Sequence, residues 1–521
     1  MSEQSDLDES LKKVAKGGGI MFIGIFVGQL LFYLSRVFIA RWVGESSYGQ
    51  ISLAISIMGI GVTLASVGMQ GGLRRYIPFY MGKNDDKRVK GTILSGFQIV
   101  IPLSLTMGFL FYLSSGWLAT EFFGNADLIP LIKVFSLGVP IYAIMQLLLS
   151  VVQGFQEMKY RALSKYAIEP ISRLGFVALF LVLGYGVFGA SLGYVLAIAV
   201  TAVSTTIIVE KRIFSIIKSK IEGIRITKKL FFYSWPLLLS SIIGLVTSWT
   251  DTFMLGAFGS MGDVGLYNAA RPTVKALRAV PMALGMIFLP VISELYGEGK
   301  EGVMKSLYKS VNKWLVFTLF PVLLLGTLYA PIGMRIIFGK GYVAASSALA
   351  ILLVGYFVRS IFTPSQTFLK AIGRTKFFTI ISGITATANF VLNLVLIPIY
   401  GVNGAAIATS ISIGFGGISA GILSYLETDF FPFELDHIKS LVSAPLSLLI
   451  SYIFYKTIIS YFYSTTLFVL ILTLGVFIFT YILFLLFLRS FDRNDILIMR
   501  AIEKKSGIEL KFLRKILKKF L

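Results

Sequence analysis

The stretch Tyr185-Gly-Val-Phe-Gly-Ala190 recurs as Tyr400-Gly-Val-Asn-Gly-Ala405, 215 residues later. At the same offset Gly44 maps to Gly259, Phe38 to Phe253, Arg36 to Asp251 and Gly82 to Gly297. A single glycine match means little in a chain with 50 glycines, but one constant offset across separated landmarks indicates an internal duplication. The surrounding chain has the composition of a membrane protein: of 521 residues, 56 % are hydrophobic and only 14 % charged, against roughly 25 % charged in soluble domains. A soluble enzyme carrying one anchor is thereby excluded.

Apolar runs between residues 18 and 488 divide into fourteen candidate spans, each near the roughly 20 residues that a bilayer core requires. The first, Gly17 to Gly44, is too long for a signal-peptide core and reads as a retained helix. Six spans precede the repeat point and six follow it. An even number puts both copies in the membrane with the same orientation, related by an axis along the membrane normal. The expected fold is all-α integral membrane: an N-lobe over 1–225, a C-lobe over 226–437, two unrepeated helices over 438–488, and a basic amphipathic tail over 489–521. Two facing six-helix lobes suit an alternating-access transporter. A duplicated bundle that only scaffolds other proteins would leave the charges inside the spans without a purpose.

The net charge of +22 resolves into topology. With the N-terminus cytoplasmic, 37 of the 48 Lys and Arg fall in segments on that side and 5 on the other, so both termini are expected in the cytoplasm of a cell-membrane protein. The segment from Glu427 to Lys439 dissents with four acids against one lysine, but acids weigh little in orientation. His437, in that segment, is expected at the surface. Leu510, Leu513, Leu517 and Phe520, interleaved with Lys511, Arg514, Lys515, Lys518 and Lys519, suit the anionic cytoplasmic leaflet. With no folded soluble domain, nucleic acid is not an expected partner. With no cysteine, disulfides and thiolate chemistry are excluded.

Six cations remain inside the spans. Each costs about 2.5–3.5 kcal/mol at mid-membrane and so faces a partner or a cavity. Arg271, Lys275 and Arg278 are spaced i, i+4, i+7, which on one α-helix stacks them on one face, at depths of roughly 10, 16 and 21 Å from the outer end. Pro272, Pro281 and Pro290 on the same span allow it to bend. Glu169 and Arg173 are i, i+4 and suit either a local pair or a site; Arg359 lies mid-span. Arg36 has Asp251 as its repeat mate, and the two form a candidate outer-side gate pair. A cationic interior selects an anionic substrate, phosphate first among candidates.

With spans, repeat and charges in place, the chain resembles the polysaccharide-repeat flippases of the multidrug/oligosaccharidyl-lipid/polysaccharide exporter superfamily, which includes lipid II flippases. The resemblance rests on Tyr267-Asn-Ala-Ala-Arg271, Leu289-Pro-Val-Ile-Ser293, Gly373-Arg-Thr-Lys376 and the run from Asn389 to Thr409. It implies a flippase, not an enzyme, moving an isoprenoid (di)phosphate-linked oligosaccharide to the outer leaflet, with membrane lipids around it and glycan-assembly enzymes as candidate partners. Arg271 matches a cavity arginine that holds the diphosphate. An adjacent Arg-Asp pair of the first span reads Ser35-Arg36 here. The resemblance also implies a lipid-tail groove at the last two spans and sodium ligands at Asp251, Asn389, Asn393 and Thr409. In this chain Asn393 replaces an acid, so sodium or proton coupling stays open; no other cofactor is expected. A cation-coupled multidrug exporter of the same superfamily is the alternative, opposed by Arg36 and the eighth-span cations. A membrane glycosyltransferase or polymerase would need a large catalytic loop, and no extramembrane segment here provides one.

Overall fold

A computed structural model describes residues 2–433, 435–462, 467–492 and 495. The described residues are mostly helical, and none of them is in a strand. In chain order the principal helices are α1 (Ser2–Ser66), α2 (Met69–Met81), α3 (Asp86–Leu113), α4 (Leu128–Gly154), α5 (Glu169–Val182), α6 (Gly186–Ile208), α7 (Thr227–Phe258) and α8 (Met261–Lys275). There follow α9 (Ala279–Gly297), α10 (Glu301–Leu328), α11 (Ala330–Ile337), α12 (Ser346–Ile361), α13 (Thr363–Ala371), α14 (Thr375–Thr428), α15 (Leu435–Phe462) and α16 (Leu467–Phe487). The basic segment from residue 496 onward lies outside the described residues.

Among the described residues, nine helical segments are long and apolar enough to cross a membrane. Large apolar side chains such as Phe109, Val182, Leu426 and Phe487 stand exposed, while Ser104, Thr201, Ser234 and Asn393 are buried. That distribution belongs to a protein solvated by hydrocarbon, where interhelical contacts draw on small and polar residues.

α1 and α14 are too long for one crossing: their 65 and 54 residues would extend about 98 and 81 Å, against a core of about 30 Å. Each is broken at a single glycine, Gly44 (φ 81°, ψ 173°) and Gly401 (φ 54°, ψ −127°). These are conformations that a side chain disfavours and glycine accepts.

The repeat spacing also recurs in the backbone. Gly186 and Gly401 both have positive φ, as do Gly124 with Gly339 and Asn84 with Gly299, each pair 215 residues apart. α3 and α10, both 28 residues long, begin and end at the same offset.

The chain divides into two compact units. The first holds the described residues up to Pro272, with Met334–Ala345 and Phe390–Ala405. The second holds Thr273–Gly333, Ser346–Asn389 and the described residues from Ala406 on. In the first, the connection leading into α7 is laid across α3: the Ile224 N–H donates to Lys87 O at 3.0 Å, Lys90 Nζ to Ser219 O at 2.9 Å, and the Ile226 N–H to Ser95 Oγ at 3.0 Å.

In the second unit α15 and α16 pack on α10 through Phe317, Ala444, Phe477 and Tyr481, and the Tyr481 hydroxyl donates to Phe317 O at 2.9 Å. Lys313 of α10, which the sequence places among cytoplasmic cations, is buried. Its Nζ lies 2.7 Å from both Asp492 and Asp495, and Trp314 Nε1 donates to Asp495 at 2.9 Å. His437 corrects the expectation of a surface residue: it is 4 % exposed, because Phe433 just before α15 turns its ring edge-on to the imidazole at 5.4 Å. The acidic excess nearby is partly neutralised by Arg374 on Glu427 and Lys439 on Asp436.

Removing one partner of a buried ion pair strands the other charge. Lys313→Met is therefore expected to destabilise the protein by about 3–5 kcal/mol, read as a lowered unfolding temperature in detergent, with Lys313→Met/Asp495→Leu recovering part of the loss.

Candidate functional site

The first unit contains a small cleft lined by Ser35, Arg36, Tyr48, Arg173, Tyr194, Trp249 and Asn268 among others. Arg36 comes from α1, Arg173 from α5 and Trp249 from α7. Just before α5 the chain makes a π-helical turn, Leu163–Ile168, a feature frequent at functional positions.

Downstream of this turn Glu169, 1 % exposed, sits between two cations: Arg173 at 2.5 Å and Lys165 at 2.7 Å. The expected Glu169–Arg173 pair forms, but it does not neutralise the local charge, since the trio carries a net positive charge. The Arg173 guanidinium lies 3.9 Å from the Tyr194 ring centroid and 4.7 Å from that of Phe32, a cation–π sandwich that holds it with little lost freedom. Its buried Nε has no hydrogen-bond partner among the described residues. Arg36 shares this cleft, so two guanidiniums from different helices converge on one space.

A second polar group is built around Asp251 of α7, 1 % exposed. The Tyr267 hydroxyl donates to its Oδ2 at 2.6 Å, Asn393 Nδ2 donates to Oδ1 at 2.7 Å, and Arg271 Nη1 lies 3.7 Å away. Arg271 also donates to the carbonyls of Ser248 and Thr247 at 2.6 and 2.7 Å. Its guanidinium thus braces α8 on α7, while the cleft itself receives Arg36 and Arg173. Asn268, one turn before it, exchanges contacts with Thr252.

The expected single cationic face of the eighth span is corrected. α8 ends at Lys275, and a 3-10 turn, Ala276–Arg278, leads into α9. Pro281 supplies the reason, because its missing N–H and its ring disfavour the α-helical bond to Leu277. The 3-10 turn rotates successive residues by about 120° rather than 100°, so the α-helical register does not run through to Arg278. Arg271 is 6 % exposed and belongs to the first unit; Lys275 and Arg278 are exposed and belong to the second, as does half-buried Arg359.

The four oxygen-bearing residues fall into two pairs: Asp251 with Asn393 in the first unit, and Asn389 with Thr409, Nδ2 to Oγ1 at 3.2 Å, in the second. In this arrangement the Asp251 pair does not fit an alkali ion. Both carboxylate oxygens accept hydrogen bonds and a guanidinium stands beside them, so an ion would have to replace donors and share the charge with Arg271, although the orphan Oδ1 of buried Asn393 is an oxygen of the right kind.

Beyond the cleft, segments far apart in sequence close on one another near Gly44. A Cβ at Gly49 would lie 1.8 Å from Met261 O, and one at Gly265 would lie 1.9 Å from Glu45 O. Only glycine permits these backbones of α1 and α8 to meet. Arg41 caps the end of α11, donating to Ile337 O at 2.7 Å and also to Ile336 O, and the Tyr342 hydroxyl donates to Ala40 O at 3.1 Å.

Residues 14–296 match the family described as "Polysaccharide biosynthesis protein". The chain belongs to that family. Residues 236–395 also match MatE. A putative O-antigen transporter of Shigella flexneri is 24 % identical over 75 % of this chain and 92 % of its own length. A probable low-salt glycan biosynthesis flippase, Agl15, of Haloferax volcanii is 25 % identical over 75 % and 79 %. The structure of the lipid II flippase MurJ in an inward closed conformation superposes with a TM-score of 0.68 at 19 % identity, covering 90 % of this chain and 99 % of that one, so the two share a fold.

Tyr48, Tyr194, Trp249 and Arg41 were not singled out as site residues from the sequence, and Tyr267 stood there only as part of a family motif. Tyr267 and Asn268 carried a signal, since both precede Arg271 by about one helical turn; the aromatic residues of the cleft, in a chain with 14 % aromatics, carried none.

Asp251→Leu, which strands Arg271 and the Tyr267 hydroxyl, is expected to cost about 3–5 kcal/mol of stability, and Tyr267→Phe about 1–2 kcal/mol. Thermal unfolding in detergent ranks the two, and equal effects would contradict a hub centred on the carboxylate.

Proposed function

We propose that this protein is a flippase that carries an isoprenoid (di)phosphate-linked oligosaccharide from the cytoplasmic to the outer leaflet of the cell membrane by alternating access, for surface polysaccharide or glycoprotein glycan assembly. The observation that carries this reading is the convergence of Arg36 and Arg173 on one cleft in a member of this family. Two guanidiniums on one cleft suit phosphate oxygens and repel the organic cations that a multidrug exporter would take. The aromatic lining adds flat apolar surface of the kind that orients a ligand beside its polar anchors.

In this reading the chain crosses the membrane fourteen times with both termini cytoplasmic, Gly44 and Gly401 reversing direction between crossings. Residues 1–225 and 226–437 form the two lobes, 438–488 the accessory helices and 489–521 a tail on the cytoplasmic leaflet. In this reading the contacts of Gly49 with α8, Arg41 with α11 and Tyr342 with α1 lie on the outer side. Transport then requires these contacts to part while the cleft retains the phosphate. Arg271 and Asp251 keep α7 and α8 together during that movement, and Lys275, Arg278 and Arg359 supply positive potential along the path. Membrane lipids and glycan-assembly enzymes are the partners that this role implies.

The test is reconstitution into proteoliposomes with defined polyprenyl-diphosphate-linked saccharides, with and without a sodium gradient. The intact protein is expected to move them. Arg36→Ala/Arg173→Ala is expected to lower the rate at least tenfold, in keeping with roughly 1.5–3 kcal/mol for each charged hydrogen bond. Export of cationic dyes with no movement of any lipid-linked saccharide would overturn the reading.

A further inference from the structure

α2 and the start of α7 carry cations on each other's aromatic rings. Arg75 of α2 lies 4.5 Å from the centroid of Tyr233 on α7, and Lys229 of α7 lies 5.3 Å from Tyr76 and 5.8 Å from Tyr80 on α2. Arg75 also lies 5.8 Å from the Tyr76 ring, so two cations from different helices flank one ring. Lys83 stands 4.7 Å from Phe79 nearby.

The acids of this region lie elsewhere or are engaged: Asp85 pairs with Arg88 at 3.1 Å and caps α3, and Asp86 and Glu222 are exposed on α3 and on the connection before α7. Neither Arg75 nor Lys229 has a carboxylate within ion-pair distance among the described residues. Both are exposed. Beside them stands exposed Phe79, its ring centroid 5.9 Å from Lys229 Nζ, and exposed Phe232 is one helical turn on from Lys229, the mixture of aromatic and apolar surface found where headgroups meet acyl chains.

Two like charges held across a helix pair repel each other, and the rings between them offset that repulsion only in part. An anion that reaches both from their exposed side would remove the remainder and join the helices. We propose that Arg75 and Lys229 together bind the phosphate of an anionic glycerophospholipid of the cytoplasmic leaflet, its acyl chains lying against Phe79 and Phe232. This site is distinct from the transport cleft, whose cations are Arg36 and Arg173. Phosphate accepts from a guanidinium and an ammonium at once, and the apolar rim favours a lipid over a free phosphate ion. The bound lipid clamps α2 to α7, the first helix of the second repeat.

Native mass spectrometry of the detergent-purified full-length protein, titrated with phosphatidylglycerol or phosphatidylcholine, tests this. The intact protein is expected to retain a phosphatidylglycerol molecule that phosphatidylcholine does not replace at matched concentration. Arg75→Gln/Lys229→Gln is expected to weaken that binding roughly tenfold or more, whereas Lys218→Gln/Lys220→Gln in the preceding connection leaves it unchanged. The charge-retaining swap Arg75→Lys/Lys229→Arg, which guards against misfolding of the neutral variant, is expected to retain the lipid. Equal retention of both lipids by the intact protein, or undiminished phosphatidylglycerol binding by the Gln pair, would overturn the proposal. Displacement of phosphatidylglycerol by equimolar polyprenyl phosphate would overturn the assignment to bulk phospholipid, and inorganic phosphate competing at micromolar concentration would overturn the lipid itself.

Discussion

In hydrocarbon no water completes a hydrogen bond or screens a charge, so every backbone group is satisfied inside a helix and every ionic side chain needs a partner or a wet cavity. The architecture follows from that constraint. The backbone is mostly helical among the described residues, the long helices α1 and α14 break at glycines, and small and polar residues are buried at many helix contacts. The buried charges are the exceptions, and the constraint requires an account of each.

Those charges fall into different physical classes. Lys313 with Asp492 and Asp495, and Arg271 with Asp251, are braces: each cation is matched by carboxylate, and the Lys313 Nζ and both Arg271 Nη groups end on protein oxygens. Arg173 is different. Glu169 holds it but shares its charge with Lys165, so positive potential is left over and directed at the cleft that Arg36 also enters. Arg75 and Lys229 form a third class, in which rings rather than carboxylates accept the cations. Formal charge alone does not separate these classes; the number and aim of the partners does.

Much of the fold was legible in the chain because hydrophobic runs and repeats are one-dimensional signals. The 215-residue offset that joins Tyr185 to Tyr400 reappears in the positive φ of Gly186 and Gly401 and in the matched ends of α3 and α10. The site was legible only in part. Arg36, Arg173, Arg271 and Asp251 stood out because a charge in an apolar run is visible without coordinates. Which of them meet was not visible: Asp251 receives Asn393 from 142 positions away, and the eighth-span register depends on how the prolines resolve into a 3-10 turn.

By itself, then, the sequence determined the class of protein, the duplication and the inventory of intramembrane charges, because apolar length, periodicity and a lone cation in a greasy run each carry their meaning locally. Tertiary structure decided which cations are spent on holding helices together and which open onto the cleft. It brought Tyr48, Tyr194 and Trp249 to the side of Arg36, buried His437 and Lys313, and let α1 meet α8 at two glycines. Those outcomes depend on distances between residues remote in the chain, and in a medium of low dielectric a few ångströms separate a neutralised charge from a binding site.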